Sequence, residues 1–252
     1  MPRFFISSDD VEGANVVLGP DAATHLAGSL RVRPGDEVVV VEDGRREHGI
    51  IVEEVARHRV TGRIAWTRPA GGDPLLRIHV VQAIPAQGMD LAVEALAEIG
   101  VAAVWPVITD RGVARPDLSR ATGRVERWHT IAREAAQLAG RASVPDIQPV
   151  QPLSTAVGML PAGCRILACV VDAAATPLAT ISLDPNAPVA VVVGPEGGLS
   201  PADLAVLDAA GAEAVHLGPR VIRSRLAGFF AASLLLAAAG ELNTAVATER
   251  PE

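Results

Sequence analysis

Two glycine-bearing segments hold the residues best placed for chemistry. In the first, the apolar run Val189 to Val193 enters a loop carrying Gly194, Gly197 and Gly198. The chain leaves it through Ser200-Pro201, with Ser200 as helix N-cap, Pro201 at the first helical position and Asp203 three residues past the cap. Glycines let backbone amides approach a ligand closely, and the carboxyl end of a strand in an α/β sheet is where ligands bind. An ordinary strand-to-helix turn would account for the same residues equally well. The dinucleotide spacing G-x-G-x-x-G is absent. The second segment, Leu217-Gly218-Pro219-Arg220-Val221-Ile222-Arg223-Ser224-Arg225, also lies between a buried run and a helical pattern. It places three Arg within six residues and no acid among them. Cations at a helix start oppose the helix dipole, so the cluster points to an external anion, with distant carboxylate partners as the plainer alternative.

The cationic inventory narrows that chemistry. All 22 basic residues among the 252 are Arg, and there is no Lys or Tyr. A Walker-type phosphate loop, a Schiff-base enzyme and a kinase Lys are thereby excluded. The net charge of −7 argues against a nucleic-acid partner on the global balance. The charge is segregated, however. The window 111–141 carries seven Arg (111, 115, 120, 124, 127, 133 and 141) against Asp117, Glu126 and Glu134, a local +4 that leaves −11 elsewhere. Such a stripe suits a polyanion, although a basic helical face is often only solvated. The six His show neither H-E-x-x-H nor clustering, so no metal is expected. Cys164 and Cys169 read as reduced structural thiols. There is no G-x-S-x-G elbow, and Asp172 after a buried strand is either a binding carboxylate or a turn former. The N-terminus turns acidic by Asp9, too soon for a signal peptide, and Leu226 to Ala239 is too short to span a bilayer. A cytoplasmic protein is expected.

The elements that must position these loops follow from periodicity. Residues 1–70 read as short strands and turns: Pro34-Gly35-Asp36, then Val38 to Val41, Gly49 to Val55 and Val60 to Trp66, which suggests a small barrel. Thr67 to Pro74 has linker composition. From 75 to 245 strands and helices alternate. Strands are expected at Leu75–Ala83, Val101–Ile108, Arg165–Val171, Val189–Val193 and Ala214–Leu217. Helices are expected at Met89–Ile99, Arg120–Ala139, Pro201–Ala209 and Leu226–Ala239. Near-continuous apolar strands belong to a parallel sheet covered on both faces, hence an α/β domain.

The motifs in order resemble those of the RsmE-type ribosomal RNA methyltransferases of the SPOUT superfamily. The resemblance rests on His25-Leu26-Ala27-Gly28-Ser29-Leu30-Arg31 with Pro34-Gly35-Asp36, on Met89-Asp90 leading to Ala97-Glu98-Ile99-Gly100-Val101 with Pro106 and Arg111, on Trp128 to Arg141 with Pro145, and on the two glycine loops. It implies a PUA-like β-barrel followed by a SPOUT-type parallel-sheet domain with a C-terminal trefoil knot. It implies S-adenosylmethionine as methyl donor, N3 of a uridine in the 16S rRNA of the 30S subunit as acceptor, and a homodimer. Cofactor contacts would fall on Leu167, Gly194, Pro195, Glu196, Gly198, Leu217, Gly218, Val221, Ile222 and Leu226. RNA contacts would fall on Arg31, Arg111, Arg124, Arg133, Arg141 and Arg220, and catalytic roles on Arg223, Arg225 and Glu196.

The chain also departs from the pattern. The family often carries Lys in the helix after Met89, where Ala95 stands, and just before Met89. After Arg223 it commonly reads Thr or Ser, Glu, Thr, Ala, against Ser224-Arg225-Leu226-Ala227 here. Other readings are a non-catalytic RNA-binding or assembly factor, a ribose 2′-O-methyltransferase on the same scaffold, or a hydrolase using Asp172 and a His.

Overall fold

The computed structural model describes residues 3–29, 31–113 and 121–243. Leu30, Arg115, Asp117 and Arg120, on which parts of the barrel motif and the basic window rest, lie outside them, as do the side chains of His25 and Ser29. The chain divides into two compact units. One comprises residues up to Asp73 with Ala136–Ser143; the other comprises Pro74–Ala135 and Val144 onward.

The first unit is a six-stranded sheet ordered β1-β4-β5-β6-β3-β2. Its strands are β1 (Arg3–Ile6), β2 (Val11–Glu12), β3 (Asn15–Leu18), β4 (Glu37–Glu42), β5 (Arg46–Ala56) and β6 (Arg59–Pro69), with a short helix α1 (Pro20–Thr24) after β3. All pairs are antiparallel except β1 with β4. Phe4, Val16, Leu18, Leu26, Val40, Ile50 and Val60 form its core. Strand β6 runs past Trp66 to Pro69, further than expected, because polar pairs continue the ladder. Arg68 Nε lies 2.6 Å from the buried Glu47 carboxylate, and Thr67 Oγ1 lies 2.8 Å from His48 Nδ1. The turn at Pro34-Gly35, strand β4 and the start of β6 fall within a residue of where the pattern put them, whereas β5 begins at Arg46, three residues before Gly49.

The second unit is an all-parallel sheet sandwiched between helices. Its elements in chain order are β7 (Ile78–Ala83), α2 (Met89–Ile99), β8 (Ala103–Ile108), α3 (Thr122–Leu138), β9 (Asp146–Ile147), β10 (Gln151–Pro152), α4 (Leu153–Gly158), β11 (Arg165–Cys169), β12 (Thr176–Pro177), β13 (Val189–Val193), α5 (Pro201–Ala209), β14 (Glu213–His216) and α6 (Ser224–Ala238). The sheet order is β10-β8-β7-β13-β11-β14-β12, with β9 paired to β8. Alternating side chains serve two cores. Val80, Val104, Leu167 and Val191 pack with Val93, Leu96, Ala231 and Leu235 of α2 and α6. Val81, Trp105, Ala168 and Val192 pack with Leu153, Ala156 and Leu207 of α4 and α5. Burial on both faces explains why these strands read as unbroken apolar runs.

Element ends shift for local reasons. The strand expected from Leu75 begins at Ile78, because the N–H groups of Leu75 and Leu76 donate to Glu241 Oε1 at 2.7 and 3.0 Å instead of to a neighbouring strand. The strand expected to reach Leu217 stops at His216, whose Nδ1 accepts from the Gly218 N–H at 3.1 Å. Among the described residues no helix is long and apolar enough to cross a membrane.

Candidate active site

Because every strand of the second sheet runs the same way, their carboxyl ends share one edge. Gln82 pairs with Val193, and Val193 with Cys169. Three loops leave that edge: 84–88 after β7, 194–200 after the neighbouring β13, and 217–223 after β14, which β11 separates from β13. In such sheets this edge is the ligand-binding one.

The 194–200 loop is built as its sequence suggests. Ser200 caps α5 in a reciprocal box: the Asp203 N–H donates to Ser200 Oγ at 3.1 Å, and the Ser200 N–H donates to Asp203 Oδ2 at 2.9 Å. A Cβ on Gly194 would lie 3.0 Å from Leu199 N, so a side chain there would push the loop open by a few tenths of an ångström. Gly198 sits at φ +69° with open space around its missing side chain. Arg111 braces the loop from outside, donating from Nη1 to the Gly197 and Leu199 carbonyls at 3.1 and 3.4 Å.

A buried relay ties this loop to the start of α6. Gln82, fully buried in β7, donates from Nε2 to the Ala83 carbonyl at 3.0 Å and lies 3.3 Å from Ser224 Oγ. Ser224 Oγ donates to the Gly194 carbonyl at 2.8 Å. Room for Gln82 exists because Gly228 has no side chain; a Cβ there would come within 2.9 Å of Gln82 Oε1. Sequence reasoning missed Gln82. Its one signal is a polar side chain next to the apolar pair Val80-Val81, in a strand that is buried throughout.

Two cavities open beside these loops and share Ala86 and Gln87. One, of about 320 Å³, is lined by Ala86, Gln87, Glu196, Arg223 and Arg225. The other, of about 390 Å³, is lined by the 84–90 segment with Arg124, Arg127 and Trp128. Asp90 organises the second: it accepts from Trp128 Nε1 and Arg127 Nε, each at 3.0 Å. Glu196 ties the first together, both its carboxylate oxygens accepting from the Ala86 N–H at 3.3 Å. Arg220, Arg223 and Arg225 make no ion pair with any described residue, so the cluster keeps its charge for something else.

The remaining expected site residues separate. Gly218, at φ +100°, and the exposed Val221 and Arg220 form the outer part of the 217–223 loop, while Leu217 and Ile222 pack partly against the core. Pro195 is buried and Leu226 exposed, both close in sequence to the site. Leu167 is a correction: it is fully buried in the middle of β11, with Ala168 and Cys169 between it and the loop edge, so its side chain is core. Arg141 is another: it is 3% exposed, with its Nε 2.7 Å from Asp73 Oδ1, and presents no cation to solvent. Arg124 and Arg133 are exposed on α3, and Arg31 is exposed in the first unit. Asp172 accepts from the Ala174 N–H at 2.9 Å and bonds no His among the described residues, which leaves it a turn former. Burial raises the Cys164 and Cys169 thiols to about 11 and about 12, as inert structural thiols require. Among the described residues no group of three His, Cys, Asp or Glu side chains is placed to hold a metal.

A parallel sheet with paired glycine loops at its carboxyl edge defines an α/β ligand-binding domain. Comparison with known proteins makes it specific. An RNA methyltransferase domain matches residues 72–236. The ribosomal RNA small subunit methyltransferase E of Mycobacterium bovis is 32% identical over 257 residues, covering 96% of this chain and 92% of its own. The protein of that name from Bacillus subtilis is 24% identical, covering 93% and 96%. The crystal structure of the Neisseria gonorrhoeae ribosomal RNA small subunit methyltransferase E bound to S-adenosyl methionine superposes with a TM-score of 0.84 at 28% identity, covering 94% of this chain and 97% of that one. The chain belongs to the RNA methyltransferase family.

Proposed function

We propose that this protein methylates N3 of a uridine in the 16S rRNA of the small ribosomal subunit, with S-adenosylmethionine as donor. The observation that carries the reading is the full-length match to enzymes named for that RNA, in a chain whose matching glycine loops adjoin an arginine-lined cavity. The residues fit the cofactor. Gly198 and Gly218 are left-handed and unobstructed, so loop amides and carbonyls are open to a nucleoside and an amino-acid moiety. Gly194, Pro195, Gly198, Leu217, Gly218 and Ile222 would hold it mainly through backbone groups, and Glu196, Val221 and Leu226 would border it. When bound, it supplies an electrophilic methyl group.

The chain's own residues orient the acceptor and manage its charge. Uridine N3 carries a weakly acidic proton between two carbonyls, and its anion is the better nucleophile. Arg223 and Arg225 place positive charge where that anion develops, in a cavity partly screened from water. Glu196 stands across the cavity as the candidate proton acceptor, held in place by the Ala86 N–H. The target base must leave its stack to enter. Arg31, Arg111, Arg124, Arg133 and Arg220 would meet RNA phosphates, Arg111 also serving as the loop brace.

The finer architecture follows the same reading. The six-stranded first unit fits a PUA-like barrel. Insertion of β13 between β7 and β11, both earlier in the chain, supports a SPOUT-type knotted C-terminal portion. A homodimer acting in the cytoplasm completes the proposal. Incubating the protein with labelled S-adenosylmethionine and 30S particles from a strain lacking the modification should place label on a uracil base. Label on ribose would redirect the assignment to 2′-O transfer. Absence of cofactor binding in a calorimetric titration would leave an RNA-binding factor and overturn the enzyme.

A further inference from the structure

Arg225 is placed by a residue far from it in sequence. Gly88, which precedes α2, sits at φ +85°, and a Cβ built on it would lie 2.8 Å from Arg225 Cδ. The aliphatic stem of Arg225 thus lies where a side chain at position 88 would begin. Its Nε is buried and has no hydrogen-bond partner among the described residues. Arg225, half-buried, lines the same cavity as Ala86, Gln87 and Glu196, whereas Arg223, the N-cap of α6, is exposed. Two of the places where the sequence leaves the pattern it resembles, one beside Met89 and one after Arg223, are therefore in contact.

We infer that Gly88 and Arg225 act as one device: the glycine admits the arginine stem, and the guanidinium donates to a carbonyl oxygen flanking N3 of the uracil ring. This rests on the methyltransferase reading above. It assigns the base-contacting cation to Arg225 and leaves Arg223 to the approach. A guanidinium presents planar donors to a planar acceptor and stays charged at every accessible pH. In the reaction N3 gives up its proton to Glu196 or water and its electron pair forms the bond to the methyl carbon. The carbon–sulfur pair returns to the sulfonium, leaving a neutral thioether and a released proton. Donation from Arg225 withdraws charge from the imide as N3–H ionises, so it lowers the pH at which the nucleophile forms. The other charged groups facing that cavity are Glu196 and Arg223, with Asp90, Arg124 and Arg127 in the adjoining one.

The test compares wild type with Arg225→Gln, Arg225→Lys and Gly88→Ala, using 30S particles lacking the modification. Three measurements are made: cofactor affinity by calorimetry, affinity for a 16S transcript, and transfer rate from pH 6 to 10. Arg225→Gln should keep both affinities within about twofold and lose roughly 100-fold in rate near pH 7, the scale of one oxyanion donor. That deficit should shrink as pH rises and hydroxide takes over removal of the N3 proton. Arg225→Lys should be intermediate. Gly88→Ala should behave as a weaker Arg225→Gln, because the new methyl displaces a flexible stem. A pH profile for Arg225→Gln that is merely scaled down, or a rate loss matched by lost transcript affinity, would make Arg225 an ordinary RNA contact and end the proposal. If wild type itself transfers no methyl group to the particles, the methyltransferase reading falls and this inference with it. If wild type is active and Arg225→Gln equals it, only this inference falls.

Discussion

At the scale of single residues, the two loops depend on one hydroxyl. Ser224 Oγ is the direct link between the Gly194 carbonyl and the first turn of α6. A hydrogen bond of this kind is worth roughly 0.5–1.5 kcal/mol. Ser224→Ala should therefore weaken cofactor binding by about two- to tenfold by calorimetry while the fold survives; equal affinity would show that the link positions nothing. The thiols supply a second expectation. With Cys164 and Cys169 raised to about 11 and about 12, roughly a thousandth or less of either is thiolate at pH 8. Iodoacetamide should label the native protein far more slowly than the urea-unfolded one, and rapid native labelling would contradict the burial. Legibility at this scale was uneven. The Ser200–Asp203 cap was readable because it is local and follows a fixed spacing. Gln82, Leu167 and Arg141 were not, because their roles depend on what packs over them. A Gln in an apolar run resembles noise, a Leu near a loop resembles lining, and an Arg in a basic window resembles a surface charge until Asp73 is seen beside it.

At the scale of elements, periodicity located α2 and α5 at their observed ends and the central strands within a few residues. Both helices owe this to punctuation at their ends: Pro201 opens α5, and Gly100 closes α2 at φ +102°. A Cβ on Gly100 would also lie 2.7 Å from the Pro74 ring. Gly100→Ala should accordingly cost about 1–3 kcal/mol in urea unfolding, the usual penalty for a side chain forced left-handed; an unchanged midpoint would mean the turn relaxes freely. The two-residue strands β9, β10 and β12 and the single-turn helix α4 left no pattern to read. The strands exist because longer neighbours offer them hydrogen bonds, and α4 because Leu153, Ala156 and Val157 pack into the core. Helix α3 carries the polyanion prediction. Arg124 is exposed at the mouth of the larger cavity, so Arg124→Ala should weaken binding to a 16S transcript and reduce the slope of log affinity against log salt by somewhat under one unit. An unaltered slope would reduce that face of α3 to a solvated surface.

At the scale of the whole molecule, stability should respond to acid through a group remote from the loops. His79 is buried in β7 against Trp105, and its pKa is lowered, first by burial and then by the nearby Arg77 charge, with Asp146 opposing. The fold therefore favours the neutral ring. The stability this contributes is complete above the unfolded value near 6.5 and is lost as pH falls below it, through the folded pKa. Urea midpoints measured between pH 7 and pH 5 should fall for wild type and fall less for His79→Gln; parallel curves would place the acid sensitivity elsewhere. The ion pair of Glu213 with Arg165, which lowers the Glu213 pKa, contributes fully above 4.5 and is lost only below it, so it does not confuse that window. Strand order has a different consequence, for the timing of synthesis. As the chain leaves a ribosome, β7 and β11 emerge before β13, the strand that must lie between them. Until residue 193 is out, the apolar edges at Val80-Val81 and Leu167-Ala168 have no partner, and the nascent sheet carries an open seam that invites wrong pairing. Closing the seam joins the halves of the sheet, and the Gly194–Ser224 link waits for thirty residues more. No half-made chain can own a working site, so the risk of misfolding falls before activity begins.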